Sequence, residues 1–576
     1  MKKKIIRRSQ QGSHELPQTL HPVLQRIYAT RNILSAQDLN NSLQALPRVG
    51  SLRGLKAAVE ILHGALRQQQ RILVVGDFDV DGATSCATAV RALRMLGAKD
   101  VTYLVPNRFE YGYGLTPEIV AVALHQHPAV IVTVDNGISS VDGVAAATRA
   151  GIKVVITDHH LPGAVLPQAD AIVNPNQMGC EFPSKNLAGV GVVFYVMLAL
   201  RAHLREAAWF EAQGMPEPNL AVLLDLVALG TVADVVPFDA VNRILVAQGV
   251  ARIRQGNCNA GISALLNIAG RKPNRLVAQD LGFAVGPRLN AAGRLSDMSL
   301  GIECLLSDDP QAASAMAARL DVLNQERREI ESQMQEQALV NLAAMELEQA
   351  QEGLPNSICL FDNTWHQGVI GILASRIKDR FHRPVIVFAL SNQGEIKGSA
   401  RSVAGLHIRD ALDAVAAHNP GLLTKFGGHA MAAGLTLRLE DFVAFRTAFD
   451  LEVSRHLGAD DLHGIVYSDG ELGHADLTLD LAETLRNGGP WGQGFPEPAF
   501  DGVFDVLSLR VVGEKHLKMT LKHLHGVKVI DAIGFNMLES ALPRDSTRLH
   551  LVYRLDVNEY RGERSPQLII EYMQPA

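Results

Sequence analysis

The 576-residue chain has no C-x-x-C pair; its five cysteines, Cys86, Cys180, Cys258, Cys304 and Cys359, are scattered along it. That excludes a disulfide framework and a cysteine-based zinc site, and it suits a reducing cytoplasm. It has no uninterrupted apolar run of about 20 residues, so no membrane-spanning helix is expected. The basic N-terminus, Met1 to Arg8, lacks an apolar stretch followed by a cleavage site, so no secretion signal is expected either. Nor is positive charge in excess: 54 Lys and Arg stand against 60 Asp and Glu, a formal net charge of −6. This argues against non-specific coating of nucleic acid and leaves room for a local basic channel.

What is present is ordinary for a globular protein, with 47% hydrophobic and 20% charged residues, over a length that suggests about three or four domains. Lys2–Lys4 with Arg7 and Arg8 read as a solvated tail or, alternatively, a nucleic-acid contact. Residues 1–50 read as an arm with short helices.

From about residue 55 strands and helices alternate. Helices are expected over Lys56–Gln69, from near Thr84 to Leu96, and over Pro117–His125 and Val141–Ala150. Strands are expected over Arg71–Val75, Val101–Pro106, Val130–Val134 and Val154–Ile156. The alternation predicts an α/β fold with a doubly wound parallel sheet, whose ligands sit at the carboxyl ends of the strands. Those ends carry chemistry. The first reads Asp77-Phe78-Asp79-Val80-Asp81-Gly82, three acids that repel unless protons or cations neutralise them. The second carries Asp135-Asn136-Gly137 and the third Asp158-His159-His160. Any one of these could be a turn or a helix cap. Together, at one edge of one sheet, they point to a Mg²⁺ or Mn²⁺ site with mixed oxygen and imidazole ligands.

Helices are further expected over Leu187–His203 and Leu220–Val227. Asp234 is the single acid of the apolar segment Leu229–Pro237, where it needs a cation, a proton or a donor. Gly286–Arg294 holds two arginines suited to phosphate contact, or is a surface loop. Residues 309–350 read as a long connector helix broken at Gly353-Leu354-Pro355. A second α/β lobe follows, with strands at Ile358–Phe361 and Val385–Phe388. Its glycine clusters at 365–371, 397–402 and 426–434, with Lys397, Arg401 and His429, suggest exposed amide donors for an anion. Five short strands after about 500 fit a small barrel of the OB type. Lys515, Lys518, Lys522, Arg554 and Arg561 with Tyr553 and Tyr560 read as a cationic groove with stacking rings, or as ordinary surface lysines on a small β-domain.

Asp77–Gly82, Asp135 in its Val-Asp-Asn-Gly context, Asp158-His159-His160 and Asp234 in Gly-Thr-Val-Ala-Asp resemble, in order and spacing, the four motifs of the DHH phosphoesterases. Gly398–Ser402 and Phe426–His429 resemble the companion DHHA1 domain. With the terminal barrel, the likeness spans nearly the whole chain and points to the single-strand-specific 5′→3′ exonuclease branch of that family, acting in DNA repair and recombination. It implies an arm (1–50), a DHH lobe (51–305), a connector (306–352), a DHHA1 lobe (353–458) and an OB-like domain (459–576).

The resemblance also implies roles. Asp79, Asp81, Asp135, His159 and Asp234 would hold two Mn²⁺ or Mg²⁺ ions, with Asp135 bridging. Asp77 and Asp158 would support them, and His160 would meet the scissile phosphate. The pyrophosphatase branch has a first-motif histidine that would fall at Val75, so one ion should be held less tightly here. Arg108, Ser399 and Arg401 would take the 5′-terminal phosphate, with His429 beside the substrate; Arg288 and Asn290 would meet the backbone near the cleavage site. Single-stranded DNA is the implied substrate, single-stranded-DNA-binding protein and a recombination helicase the implied partners, and a monomer the implied state. The alternatives are a phosphodiesterase for short oligonucleotides or cyclic dinucleotides, and a non-catalytic replication scaffold. The barrel argues against the first and the full ligand set against the second.

Overall fold

The computed structural model describes residues 3–9, 13–107, 114–348, 355–391, 394–458, 461–538 and 547–576. The chain opens with a short strand, β1 (Lys4–Arg7), whose partner lies far downstream. The first lobe is built on β2 (Ile72–Val75), β3 (Val101–Leu104), β4 (Val130–Val134), β5 (Lys153–Thr157) and β6 (Ala171–Val173). All pair in parallel, in the order β3-β2-β4-β5-β6. Successive residues feed opposite faces: Leu73, Ile131 and Ile156 join one apolar layer, and Val74, Val132 and Val155 the other. The connections run to opposite sides from β2 and β4, so the topological switch point lies between these two strands. Both end in the aspartates read from sequence. β6, only three residues long, carries no period that sequence reading could detect.

The helix Pro310–Glu348 spans about 58 Å at 1.5 Å per residue. It leads to a mixed sheet of β7 (Ile358–Asp362), β8 (Val385–Leu390), β9 (Glu395–Arg401), β10 (Lys425–Gly428) and β11 (Ala432–Arg438), ordered β10-β11-β9-β8-β7. After β12 (Ile465–Ser468), the strands β13 (Phe500–Val512), β14 (His516–His523), β15 (Val529–Gly534), β16 (Arg548–Tyr560) and β17 (Glu563–Pro575) close a barrel. The five strands expected after residue 500 are all there.

Several expectations are corrected. The first-motif helix begins at Val80 rather than near Thr84, because the Asp79 carboxylate caps it, accepting from Gly82 N at 3.0 Å. Gly286–Arg294 is no loop but most of the helix Gly286–Leu295, entered through a π-type turn, Leu281–Val285. Its glycine serves contact rather than turning: a Cβ on Gly293 would lie 1.9 Å from the Phe78 carbonyl oxygen. The glycines of 397–402 and 426–434 sit in β9, β10 and β11, whose amides are engaged in antiparallel ladders. In the barrel, Tyr553 is fully buried beside Phe500 and Phe504, so it offers no stacking face. Arg554 is bound to Glu497 and Glu571.

Lys4–Arg8 are not a solvated tail; Lys2 lies outside the described residues. β1 pairs in parallel with β12. Arg7 donates to Asp501, and Arg8 lies 3.5 Å from Asp469. Asp469 is the hub of this junction. Its fully buried carboxylate receives Arg31 at 2.8 and 2.9 Å and Ala499 N at 3.0 Å. Truncating Arg31 would leave that charge buried and largely uncompensated. Arg31→Ala should therefore lower the unfolding free energy by about 3–5 kcal/mol, read as a lower thermal or urea midpoint. A loss below about 1 kcal/mol would show that the arm and barrel are joined by other contacts.

Candidate metal centre

The backbone leaves β2 through Gly76 and brings three acids to the switch point within five residues. Asp77 and Asp79 have carboxylate oxygens that lie with one of Asp135 within 4.8 Å of one another. Asp81, in the first helical turn, is 1% exposed. Its two oxygens accept from Gly189 N at 2.6 Å and Val190 N at 3.0 Å, the start of the helix Gly189–Glu206. The positive end of that helix thus faces a carboxylate. Gly82 is required because a Cβ there would lie 2.6 Å from the Asp77 carbonyl oxygen.

Asp135 follows β4 in the left-handed region, φ +63°, which turns its side chain back toward the cluster. Asn136, which sequence reasoning passed over, donates Nδ2 to Val75 O (3.1 Å) and Val134 O (2.9 Å), tying β2 to β4 across the switch point. At the end of β5, Asp158 turns away from the other acids. It accepts from the amides of Ile138, His159 and His160 and lies 2.7 Å from His160 Nδ1. Its contacts are with the His159–His160 loop. Asn174 and Asn176, also missed, donate to the His160 and His159 carbonyls at 2.9 and 2.6 Å. An Asn-x-Asn after a short apolar run was the signal available.

His159 Nε2 lies 3.2 Å from Asp135 Oδ1 and 3.5 Å from Asp234 Oδ2. Asp234 is delivered by the end of the helix Leu224–Ala233, which approaches closely because Gly230 lacks a side chain: its Cβ would meet Thr84 Oγ1 at 2.2 Å and Asp81 Oδ1 at 2.8 Å. Val75 is buried in the apolar layer, and Asp77, two residues on, lies in the acid cluster.

Burial, with Asp234 next, pushes Asp81 up to about 7; burial and Asp79 push Asp234 up to about 7. Burial and the neighbouring acids hold Asp135 well above its usual range. Burial and His160 push His159 down, toward the neutral, ligating imidazole. So many carboxylates cannot all be ionised without added positive charge. His159 Nε2 and Asp234 Oδ2 are buried without a hydrogen bond. Among the described residues three groups, Asp77–Asp79–Asp135, Asp81–His159–Asp234 and Asp135–His159–His160, each present three ligand atoms. This donor set fits hard divalent cations such as Mn²⁺ or Mg²⁺.

The second lobe roofs the site. His429, in the turn between β10 and β11, stacks over His160 at 6.2 Å and 21°. Across the cleft, Arg401 Nη1 donates to Ser399 Oγ (3.1 Å) and Ala400 O (2.7 Å). Both side chains lie over Gly371, whose Cβ would come within 2.9 Å of each, at the start of the helix Ile370–Phe381. A half-buried guanidinium, a hydroxyl and a helix N-terminus are groups suited to an anion. Arg108 lies outside the described residues. Arg288 is engaged with Asp321 (2.8 Å) and Ala284 O (2.6 Å), holding its helix to the connector, while Asn290 lines a neighbouring groove.

Three families match: the DHH family, N-terminal domain, over residues 71–231; the DHHA1 domain over 354–455; and the RecJ OB domain over 468–572. The chain is 56% identical over 571 residues to the single-stranded-DNA-specific exonuclease RecJ of Dickeya dadantii and 53% identical over 572 residues to that of Escherichia coli, covering 99% of each chain in both cases. Its structure is similar to that of RecJ in complex with Mn²⁺ from Thermus thermophilus, with a TM-score of 0.79 at 30% identity, covering 97% of this chain and 76% of that one. The Mg²⁺ complex of RecJ from the same organism aligns with a TM-score of 0.73 at 29% identity, covering 97% of this chain and 75% of that one.

A methyl group on Gly189 would lie 2.6 Å from Asp135 Cβ and Oδ1 and would push the helix start away from Asp81. Gly189→Ala should weaken Mn²⁺ binding about 10–100-fold by titration calorimetry, with the helical circular dichroism retained. Unchanged affinity would place the ions elsewhere.

Proposed function

The chain belongs to the RecJ family of single-stranded-DNA-specific exonucleases, and we propose that it hydrolyses single strands from the 5′ end, releasing 5′-mononucleotides at the centre formed by Asp77, Asp79, Asp81, Asp135, His159 and Asp234. The observation that carries this reading is the placement of two sites in one cleft: an acid and imidazole cluster on the first lobe, and the Ser399–Arg401 anion pocket on the second. A pair of divalent cations bound among the acids supplies positive charge to the phosphodiester and lowers the pKa of an attacking water.

The chain's own groups do the rest. Arg401 and Ser399 hold the terminal phosphate and so select a free 5′ end. His160, its Nδ1 fixed by Asp158, presents Nε2 to a non-bridging oxygen of the scissile phosphate. Attack at that phosphorus in line with the 3′ oxygen expels the first nucleotide with its 5′-phosphate. The strand left behind carries a new 5′-phosphate, which suits the same pocket, so the cycle repeats. The His429 hairpin, within ring-stacking distance of His160, supports a cleft for one strand rather than two. The five-stranded barrel supports long strands over dinucleotides as substrates. Under this reading the arm, DHH lobe, connector, DHHA1 lobe and OB-like domain divide near residues 50, 305, 352 and 458. The enzyme works as a cytoplasmic monomer in repair and recombination, with single-stranded-DNA-binding protein and a helicase supplying its strands.

Comparison of 5′- and 3′-labelled single strands tests the polarity: 5′ label should appear as mononucleotide from the first turnover. Survival of long strands while dinucleotides are consumed would favour the short-oligonucleotide phosphodiesterase. Asp135→Ala should lower Mn²⁺-dependent hydrolysis at least about a thousandfold, as expected for loss of a ligand to both ions, while strand binding measured by fluorescence anisotropy persists. Arg401→Ala should lower the preference for 5′-phosphoryl over 5′-hydroxyl strands by about 10–100-fold, the loss of charge-assisted bonds. An unchanged preference would remove this pocket from 5′-end recognition.

A further inference from the structure

A groove of about 570 Å³ runs between the helix Gly286–Leu295, the connector and the second lobe's helix Ile370–Phe381. Arg294, Arg327, Arg328 and Arg376 line it, against a single lining carboxylate, Glu331, shared by Arg327 and Arg376. Such a surplus of guanidinium on a chain of net charge −6 calls for an anionic occupant. The helix that walls the groove also touches the first-motif loop. Gly293, on the same helix as Asn290 and Arg294, packs on the Phe78 carbonyl between Asp77 and Asp79. Arg294 Nη1 donates across the cleft to Gly368 O at 3.1 Å.

Phe283 stands on this groove with 78% of its surface exposed. Scattered exposed apolar residues are common on any protein, but the setting here is specific. The π-type turn Leu281–Val285 buries Leu281, Ala284 and Val285, and Gly282 rests on Val232, where a Cβ would come to 3.1 Å. Pinned on its inner face, the turn holds the ring outward on rigid backbone. π-Turns inside helices are frequent at functional sites.

We propose that Phe283 is a stacking platform for a base of the single strand downstream of the scissile phosphate, with Arg328 and Arg376 following its phosphates. This rests on the exonuclease reading and adds a subsite to it. A ring face accepts any base, and guanidiniums accept any phosphate, so the subsite grips without reading sequence.

The test uses the full chain carrying Asp135→Ala, so that strands are bound and not consumed, with 5′-phosphorylated oligothymidylates of increasing length as probes. Affinity should step up at the length that reaches the ring. Phe283→Ala should remove about a tenfold gain at that step, and Phe283→Trp should retain it. An abasic site at the corresponding position should cost the parent the same factor and cost the Phe283→Ala variant nothing. Phe283→Ala should leave the salt dependence alone, whereas Arg328→Ala should lower the slope of log affinity against log salt by about 0.7. Equal affinity of Phe283→Ala and its parent at every length overturns the proposal. So does an equal loss at every length, which marks a structural role. Failure of the otherwise wild-type chain to degrade any single strand counts instead against the exonuclease reading.

Discussion

The constraint on which everything else turns is the mutual repulsion of carboxylates brought to one switch point. Asp77, Asp81 and Asp135 are buried, with Asp79 and Asp234 half-buried beside them. Elsewhere in a protein this arrangement would melt or stay protonated. The surroundings supply partial compensation. A helix start gives two amides to Asp81, and Asp79 caps its own helix. What remains uncompensated is the driving force for binding cations. The same crowding explains the glycines at 82, 189, 230 and 293. Each marks a place where a helix or loop must come closer to the cluster than a Cβ permits.

The cluster was legible in the sequence because a parallel sheet converts position along a strand into position in space. Once strands are expected to end at Val75, Val134 and Ile156, the acids that follow them have to share an edge. Roles within the cluster were less legible. Asp158 is chemically identical to Asp135 and lies in the same kind of loop, yet it faces backbone amides and His160 rather than the other acids. That difference arises from the left-handed backbone at Asp135, which a sequence pattern does not announce.

The other misreadings share a cause. A loop was the alternative reading of Gly286–Arg294 because glycine and proline count against helix locally, whereas tertiary contact with Phe78 rewards the missing side chain. Lys4–Arg7 looked like a tail because its partner, Ile465–Ser468, is more than 450 residues away. Tyr553 looked like a surface ring because alternation in a 13-residue strand does not say which face lies inside a barrel. In each case the deciding interaction is long-range, and period or composition carries no record of it.

The arrangement also explains how one chemical centre acquires selectivity. Cations among carboxylates would activate water toward any phosphodiester, so the acids alone specify neither strand nor end. Discrimination has to come from groups on other elements, and the fold distributes it accordingly. Arg401 and Ser399 sit on the second lobe, His429 on its hairpin, and Arg294 bonds to a backbone carbonyl of that same lobe. The connector helix, fastened by Arg288 to Asp321 and by Arg376 to Glu331, sets the distance between the two halves. With the acid cluster seated in one lobe and the proposed end-reading groups in the other, the register between terminal and scissile phosphate would be a property of the lobe interface. A change in that interface alters where the strand is cut before it alters whether it can be cut.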